Sequence, residues 1–204
     1  MLVTALDLIP PALALRPEAF QALLARPGFG LQGALVIVFL AGISTSFGQS
    51  VVLFANHVSP RRFVASLLVQ AALFVLTFLA WSATVWGTAF LLMGRPAPFA
   101  AAAAAIGLAY APQLFNFLVL TPYLGNGVGA ALSVWTLLAT LQAVGVTFDL
   151  ARAETLLVAV AGWLAAQALQ RTIGRPVARV GRWVRHAVAG TTLDPHEPPG
   201  LGPR

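Results

Sequence analysis

Cysteine is absent from the 204 residues, and so is lysine: the 12 basic residues are all arginine. Without thiols the chain has no disulfides, iron–sulfur clusters or thiolate metal sites. Charge of either sign is scarce. Charged residues make up 9% of the chain, against about 25% in an ordinary soluble domain. Hydrophobic residues make up 59%, and the net charge is +6. So few charges do not cover so much apolar surface in water, and lipid is the expected solvent for much of the chain. The apolar runs are continuous and do not alternate, which predicts helices and not a β-barrel. The expected fold is all-α: a polytopic membrane protein built as a five-helix transmembrane bundle with amphipathic flanking helices.

Residues 1–30 read as an interfacial N-terminal segment. The first apolar stretch is too short to span, Pro10-Pro11 is expected to break it, and Asp7 argues against a cleaved signal peptide. A short amphipathic helix follows. Pro17 suits its first turn, Glu18 its positive end, and Pro27-Gly28 its close. Phe20, Leu23 and Leu24 share one face, suited to the bilayer surface.

The membrane domain, residues 31–170, divides into spans at about 31–54, 63–93, 99–121, 128–148 and 154–170. In the first, Gly42, Ser46 and Ser50 recur every four residues, a small-residue face that admits a neighbouring helix, and Gln49 requires a partner there. Helix packing is preferred here to a transport path. The connection at residues 55–62 reads as a turn, with Arg61 and Arg62 as headgroup anchors and His57 lacking a second metal ligand at helical spacing. The second span is longer than a perpendicular crossing needs, so it tilts or emerges. Gln70, Thr77 and Thr84 recur along it every seven residues, a stripe expected to face other helices, and Trp81 and Trp86 mark an aromatic belt.

The third span opens on an alanine run and continues through Tyr110, Pro112, Gln113 and Asn116. Pro112 has no N–H to donate and crowds the carbonyl of Leu108, so a kink is expected. Gln113 and Asn116 lie within one turn of it, where they satisfy the freed groups or bridge to a neighbour. A hydrogen-bonded kink is preferred here to a substrate pocket, because no ionisable residue joins the cluster. Pro122 and the Gly125-Asn126-Gly127 run read as the next turn. Gly125, Gly129 and Ser133 then carry a small-residue face into the fourth span. Asp149 is expected to cap the helix that follows it, and the fifth span is the weakest.

Residues 171–190 form the clearest periodic element outside the bilayer. Ile173, Val177, Val180, Val184 and Val188 fall on one helical face, with Arg171, Arg175, Arg179, Arg182 and Arg185 opposite. That pattern suits anionic headgroups or an acidic partner and not nucleic acid, since Trp183 is the only interleaved aromatic. The tail, residues 191–204, is rich in Pro and Gly and is expected to be disordered; its Asp194, His196 and Glu197 are not pre-organised for a metal. Arg61, Arg62 and the arginines of residues 171–185 lie at one end of a five-span chain, with Arg16, Arg26, Arg95 and Arg152 at the other. The positive-inside bias therefore places the C-terminus in the cytoplasm.

Several short motifs, in order, resemble the Yip family of five-span integral membrane proteins, known in eukaryotes as Rab-interacting. They are the 16–28 segment before the first span, Gly94-Arg95 through Phe99, Ala109-Tyr110-Ala111-Pro112, and the Pro122, Leu124 and Gly125 turn. Trp135 and Arg152-Ala153 complete the set. The resemblance covers roughly residues 16–171. It implies five helices and no catalytic centre. Eukaryotic members act in membrane traffic and membrane shaping through small GTPases, and relatives of bacterial type mostly lack an assigned function.

The expected function is non-enzymatic: packing with other integral membrane proteins or with further copies of the chain, or organisation of the bilayer. The residues expected to carry packing are Gly42, Ser46, Gln49, Gln70, Tyr110, Pro112, Gln113, Asn116, Gly125, Gly129 and Trp135. No cofactor is expected. An accessory subunit of an energy-transducing complex, docked through the basic helix, is a second reading. A small-solute transporter or channel using Gln49, Gln70, Gln113 and Asn116 is a third. Catalysis is disfavoured, as the sequence has no zinc motif, no suggested Ser–His pair and no carboxylate dyad within a span. The expected setting is a bacterial inner membrane or an internal membrane system.

Overall fold

The computed structural model describes residues 6–49, 60–121 and 123–168. The expected basic helix, the tail, the end of the first span and Pro122 lie outside them, as do Arg171, Arg175, Arg179, Arg182 and Arg185. Among the described residues every regular element is helical. The order is α1 (Ile9–Leu13), α2 (Pro17–Leu24), a 3-10 turn (Pro27–Gly30), α3 (Leu31–Gln49), α4 (Pro60–Met93), α5 (Phe99–Ala109), a 3-10 helix (Ala111–Leu120) and α6 (Gly125–Phe148). A last helix, α7, covers residues 152–168.

Three of these stretches are long and apolar enough to cross a membrane: Phe63–Met93, Phe99–Leu120 and Gly125–Phe148. The 34 residues of α4 extend about 51 Å, well beyond a hydrocarbon core of about 30 Å. Gly94 ends that helix at φ +61°, and its N–H donates to the Phe90 carbonyl at 3.0 Å. A left-handed residue at this position closes a helix, and glycine adopts it without a Cβ penalty. α3 and α7 are shorter, at about 28 and 25 Å.

The alanine-rich α5 is the axis of the bundle. Its residues 101–109 are all buried, because small side chains let neighbouring backbones close in from several sides. At Gly107 an added Cβ would lie 2.9 Å from the Ala34 Cβ of α3. α1 and α2 close one end, where Leu8, Phe20 and Leu23 pack with Ile37, Leu108 and Ala143. A second cluster joins Val38, Phe78, Val85, Ile106, Phe148 and Val158. α7 seats against α4 at Gly162, where a Cβ would lie 3.1 Å from Val85.

Several boundaries differ from the sequence expectation. The second span keeps its expected bounds, Phe63–Met93, while its helix starts earlier, at Pro60, since proline is pre-organised for a first turn. The fourth begins at Gly125, not residue 128, so the Gly-Asn-Gly run is its first turn and not a loop. Pro10-Pro11 opens α1 and does not break it, both prolines lying where helix N–H groups have no partner anyway. The apolar face of α2 meets protein and not the bilayer surface: Phe20 and Leu23 are buried. Amphipathicity requires burial of that face but does not say against what.

Asp149 closes α6 and does not open α7. It sits at φ +51°, and the Leu150 N–H returns to the Gly145 carbonyl at 3.0 Å, a Schellman closure. The start of α7 is capped by Glu154, whose carboxylate accepts from the Ala151 N–H at 2.9 Å.

Candidate functional site

The expected kink at Pro112 is a change of helix type. α5 ends at Ala109, and the chain continues through Leu120 as a 3-10 helix of 10 residues, where such runs rarely exceed three or four. Without a proline N–H the Leu108 carbonyl loses its helical donor. The Gln113 N–H bonds the Tyr110 carbonyl at 2.9 Å, one residue tighter than an α-helix. Backbone groups released at membrane depth require partners, because lipid supplies none.

The partner of those backbone groups comes from α3, and α6 adds a side-chain tie. The Ser44 hydroxyl donates to the Leu114 carbonyl at 2.9 Å and accepts from the Phe117 N–H at 2.9 Å. It thus stands between two groups that would face each other in a regular 3-10 turn. The Asn116 amide donates to Thr45 Oγ1 at 2.9 Å, which itself donates to the Ala41 carbonyl at 2.9 Å. On the other side the Gln113 amide donates to Thr136 Oγ1 at 3.0 Å, and Thr136 donates to the Leu132 carbonyl at 2.8 Å. The 3-10 helix is therefore tied to two helices by hydroxyls and amides.

Beside this network lies a cleft of about 280 Å³, with Thr45, Tyr110, Gln113, Ser133 and Thr136 among its lining. The Tyr110 ring meets Phe78 edge-on at 5.3 Å and Phe74 at 5.9 Å between centroids, which fixes its position in the wall. Among the described residues no cluster of His, Cys, Asp or Glu forms a metal-binding set.

Of the residues singled out from sequence, the fold brings Tyr110, Pro112, Gln113 and Asn116 to this one place. Pro112 is fully buried. Gly42 lies elsewhere on α3, where a Cβ would meet the Ala71 Cα of α4 at 3.0 Å. Ser46 donates to the Gly42 carbonyl of its own helix at 2.8 Å. Gly125 lies under the end of the 3-10 helix, where a Cβ would stand 2.2 Å from the Val119 carbonyl oxygen. Gly129 has ordinary clearance, 3.5 Å from Val119. Trp135 reaches away from the cleft and donates to the Leu13 carbonyl at 2.8 Å, tying α6 to α1. Gln70 is half-buried on α4, and the Gln49 side chain lies outside the described residues. Of the heptad stripe, Thr77 turns back to the Leu73 carbonyl at 2.9 Å and Thr84 to the Trp81 carbonyl at 2.7 Å.

Sequence reasoning missed Ser44, Thr45 and Thr136. The available signal was capacity for hydrogen bonding in the 42–46 stretch, where the small face was chosen by size. At the usual 100° per residue, Ser44 lies about 160° around the helix from both Gly42 and Ser46, and Thr45 about 60° from Gly42.

The exterior is apolar. Leu91 is 79% exposed, Leu76 61%, Val134 57% and Leu164 56%. Among the described residues, fold and site together define an all-helical bundle with three helices long and apolar enough to cross a membrane, and a polar junction among its helices. Comparison with protein-family models, curated proteins and solved structures returned no match.

Proposed function

We propose that the chain is a multi-pass protein of a bacterial inner membrane or internal membrane system, with five crossings made by α3, α4, α5 with its 3-10 extension, α6 and α7. Its function is non-enzymatic: it packs with other integral membrane proteins or with further copies of itself, and thereby organises the surrounding bilayer. The observation that carries this reading is the partition of polarity. The mid-bundle amides bond to hydroxyls, while the outer faces of α4, α6 and α7 expose many large apolar side chains. A surface of that kind is solvated by lipid or by other apolar helices. The resemblance to the Yip family supports the same helix number.

The test is a mild-detergent pull-down of the full chain, read by native gel and mass spectrometry. Homo-oligomers or partner membrane proteins at fixed stoichiometry are expected. A monomer with no companion under every mild detergent would overturn the packing role. A stoichiometric energy-transducing complex would instead make the chain an accessory subunit, with Arg179 and Arg182 as the first contacts to reverse in sign.

A second reading, passage of a small neutral solute, is favoured by the 280 Å³ cleft beside Gln113 and Thr136. It predicts flux in liposomes that Asn116→Leu removes. Equal flux in that variant, or none in the wild type, would sink it.

A further inference from the structure

A larger groove, about 600 Å³, opens where α6 ends and α7 begins, walled on one side by α2. It uses none of the residues of the mid-bundle junction. Its polar lining is Gln21, Gln142, Asp149, Arg152 and Thr155, the last already bonded to the Ala151 carbonyl, and its apolar wall includes Leu138 and Leu156. The size suits a small organic ligand or headgroup.

The chemistry of the lining is bipolar. Arg152 is exposed and has no carboxylate within 4.0 Å among the described residues. Its planar fork of donors matches phosphate oxygens. Asp149 is 99% exposed and meets only the edge of Arg95, at 3.9 Å, a weak surface pair that leaves most carboxylate lone pairs free. The Gln21 and Gln142 amides are exposed at the rim. The two charged groups in the lining, Asp149 and Arg152, cancel. A ligand of net negative charge would gain at Arg152 and lose at Asp149. One that carries a phosphate and an ammonium together satisfies both. The apolar wall does not end at the groove: Leu138 is 44% and Leu156 55% exposed, and both run on into the outer belt. The ligand is therefore polar with both signs at one end and apolar beyond.

We infer that this groove binds the headgroup of an aminophospholipid, with the phosphate on Arg152, the primary ammonium on Asp149 and the rim amide carbonyls, and the acyl chains along Leu138 and Leu156. The inference rests on the reading that the bundle lies in a bilayer. A primary ammonium donates hydrogen bonds to a carboxylate, whereas a quaternary choline has none to donate, so the site discriminates between the two zwitterions.

The experiment is lipid titration of the detergent-purified full chain by native mass spectrometry. The probes are phosphatidylethanolamine, phosphatidylcholine and phosphatidylglycerol with identical acyl chains, and glycerophosphoethanolamine as the headgroup alone. Phosphatidylethanolamine is expected to bind about tenfold more tightly than phosphatidylcholine, the range of one or two charge-assisted hydrogen bonds. Arg152→Gln weakens both phosphatidylethanolamine and phosphatidylglycerol by about tenfold. Asp149→Asn erases the preference for phosphatidylethanolamine over phosphatidylglycerol. Asn126→Ala, exposed at the opposite end of α6, changes nothing. Circular dichroism and gel filtration establish that each variant folds. Equal binding of the two zwitterionic lipids, or unchanged binding by Arg152→Gln, overturns the proposal. So does binding of the headgroup alone as tight as the whole lipid, which would make the ligand a soluble phosphoester. Carbonate extraction of cell membranes separates the two levels: a chain released with soluble protein refutes the membrane reading, whereas a chain retained without lipid selectivity refutes only the groove.

Discussion

Ser44 is the residue on which the junction turns, since one hydroxyl serves a carbonyl and an N–H that both belong to the 3-10 helix. Ser44→Ala leaves those two part-exposed backbone groups without that partner and removes two hydrogen bonds, each worth about 0.5–1.5 kcal/mol net. The variant is expected to unfold at lower temperature or lower denaturant in micelles, with Ser44→Thr recovering most of the loss. Asn116→Leu makes the contrast. Thr45 keeps its bond to Ala41 when the amide is gone, and the removed amide leaves no stranded backbone group. Its cost is expected below about 1 kcal/mol, that of a single net hydrogen bond. A larger loss from Asn116→Leu than from Ser44→Ala would show that the amide bridges, and not Ser44, hold the junction. The amides at 113 and 116 were legible in sequence because they interrupt an apolar run beside a proline. Ser44 was not, because its partners are main-chain atoms some 70 residues away and no side-chain pattern marks them.

At the scale of elements, the two glycines that open α6 are predicted to respond in opposite directions. Gly125→Ala drives a methyl group to 2.2 Å from the Val119 carbonyl oxygen, and a backbone atom has little freedom to yield. Overpacking of this kind costs about 1–3 kcal/mol. Gly127 has nothing within 4 Å of the added carbon, so Gly127→Ala gains helix propensity of up to about 1 kcal/mol. Thermal unfolding of the two variants in one detergent gives the comparison, and a stabilised Gly125→Ala would mean that the 3-10 helix does not approach α6 so closely. The same turn explains an error of reading. Gly-Asn-Gly carries the composition of a loop, yet the close approach of Val119 requires glycine at 125, while the first helical turn tolerates poor helix formers. The long apolar helices and the break near Pro112 were legible, because hydropathy and the missing proline donor act locally. The burial of α2 was not, because an amphipathic face is silent about whether protein or lipid covers it.

For the whole molecule, the proposed crossing by α6 predicts that its two ends face different compartments. Its 24 residues cover about 36 Å, more than a hydrocarbon core of about 30 Å. Chain order then groups residues 94–98 with 149–151 at one end of the bundle, an arrangement consistent with Arg95 lying beside Asp149. Asn126 belongs to the other end, with Arg61 and Arg62. The absence of native cysteine makes each introduced thiol unique, so the sidedness is directly measurable. Ala151→Cys and Asn126→Cys both place the thiol at an exposed position. The excess of arginine at the Asn126 end in sequence, including residues 171–185, assigns that end to the cytoplasm by the positive-inside bias. A membrane-impermeant maleimide applied to intact cells stripped of their outer layers is expected to label Ala151→Cys at once and Asn126→Cys only after permeabilisation. The reversed pattern would keep the crossing and overturn the orientation. Labelling of both thiols from one side would remove α6 from the set of crossings, and with it the alternation on which a five-span bundle depends.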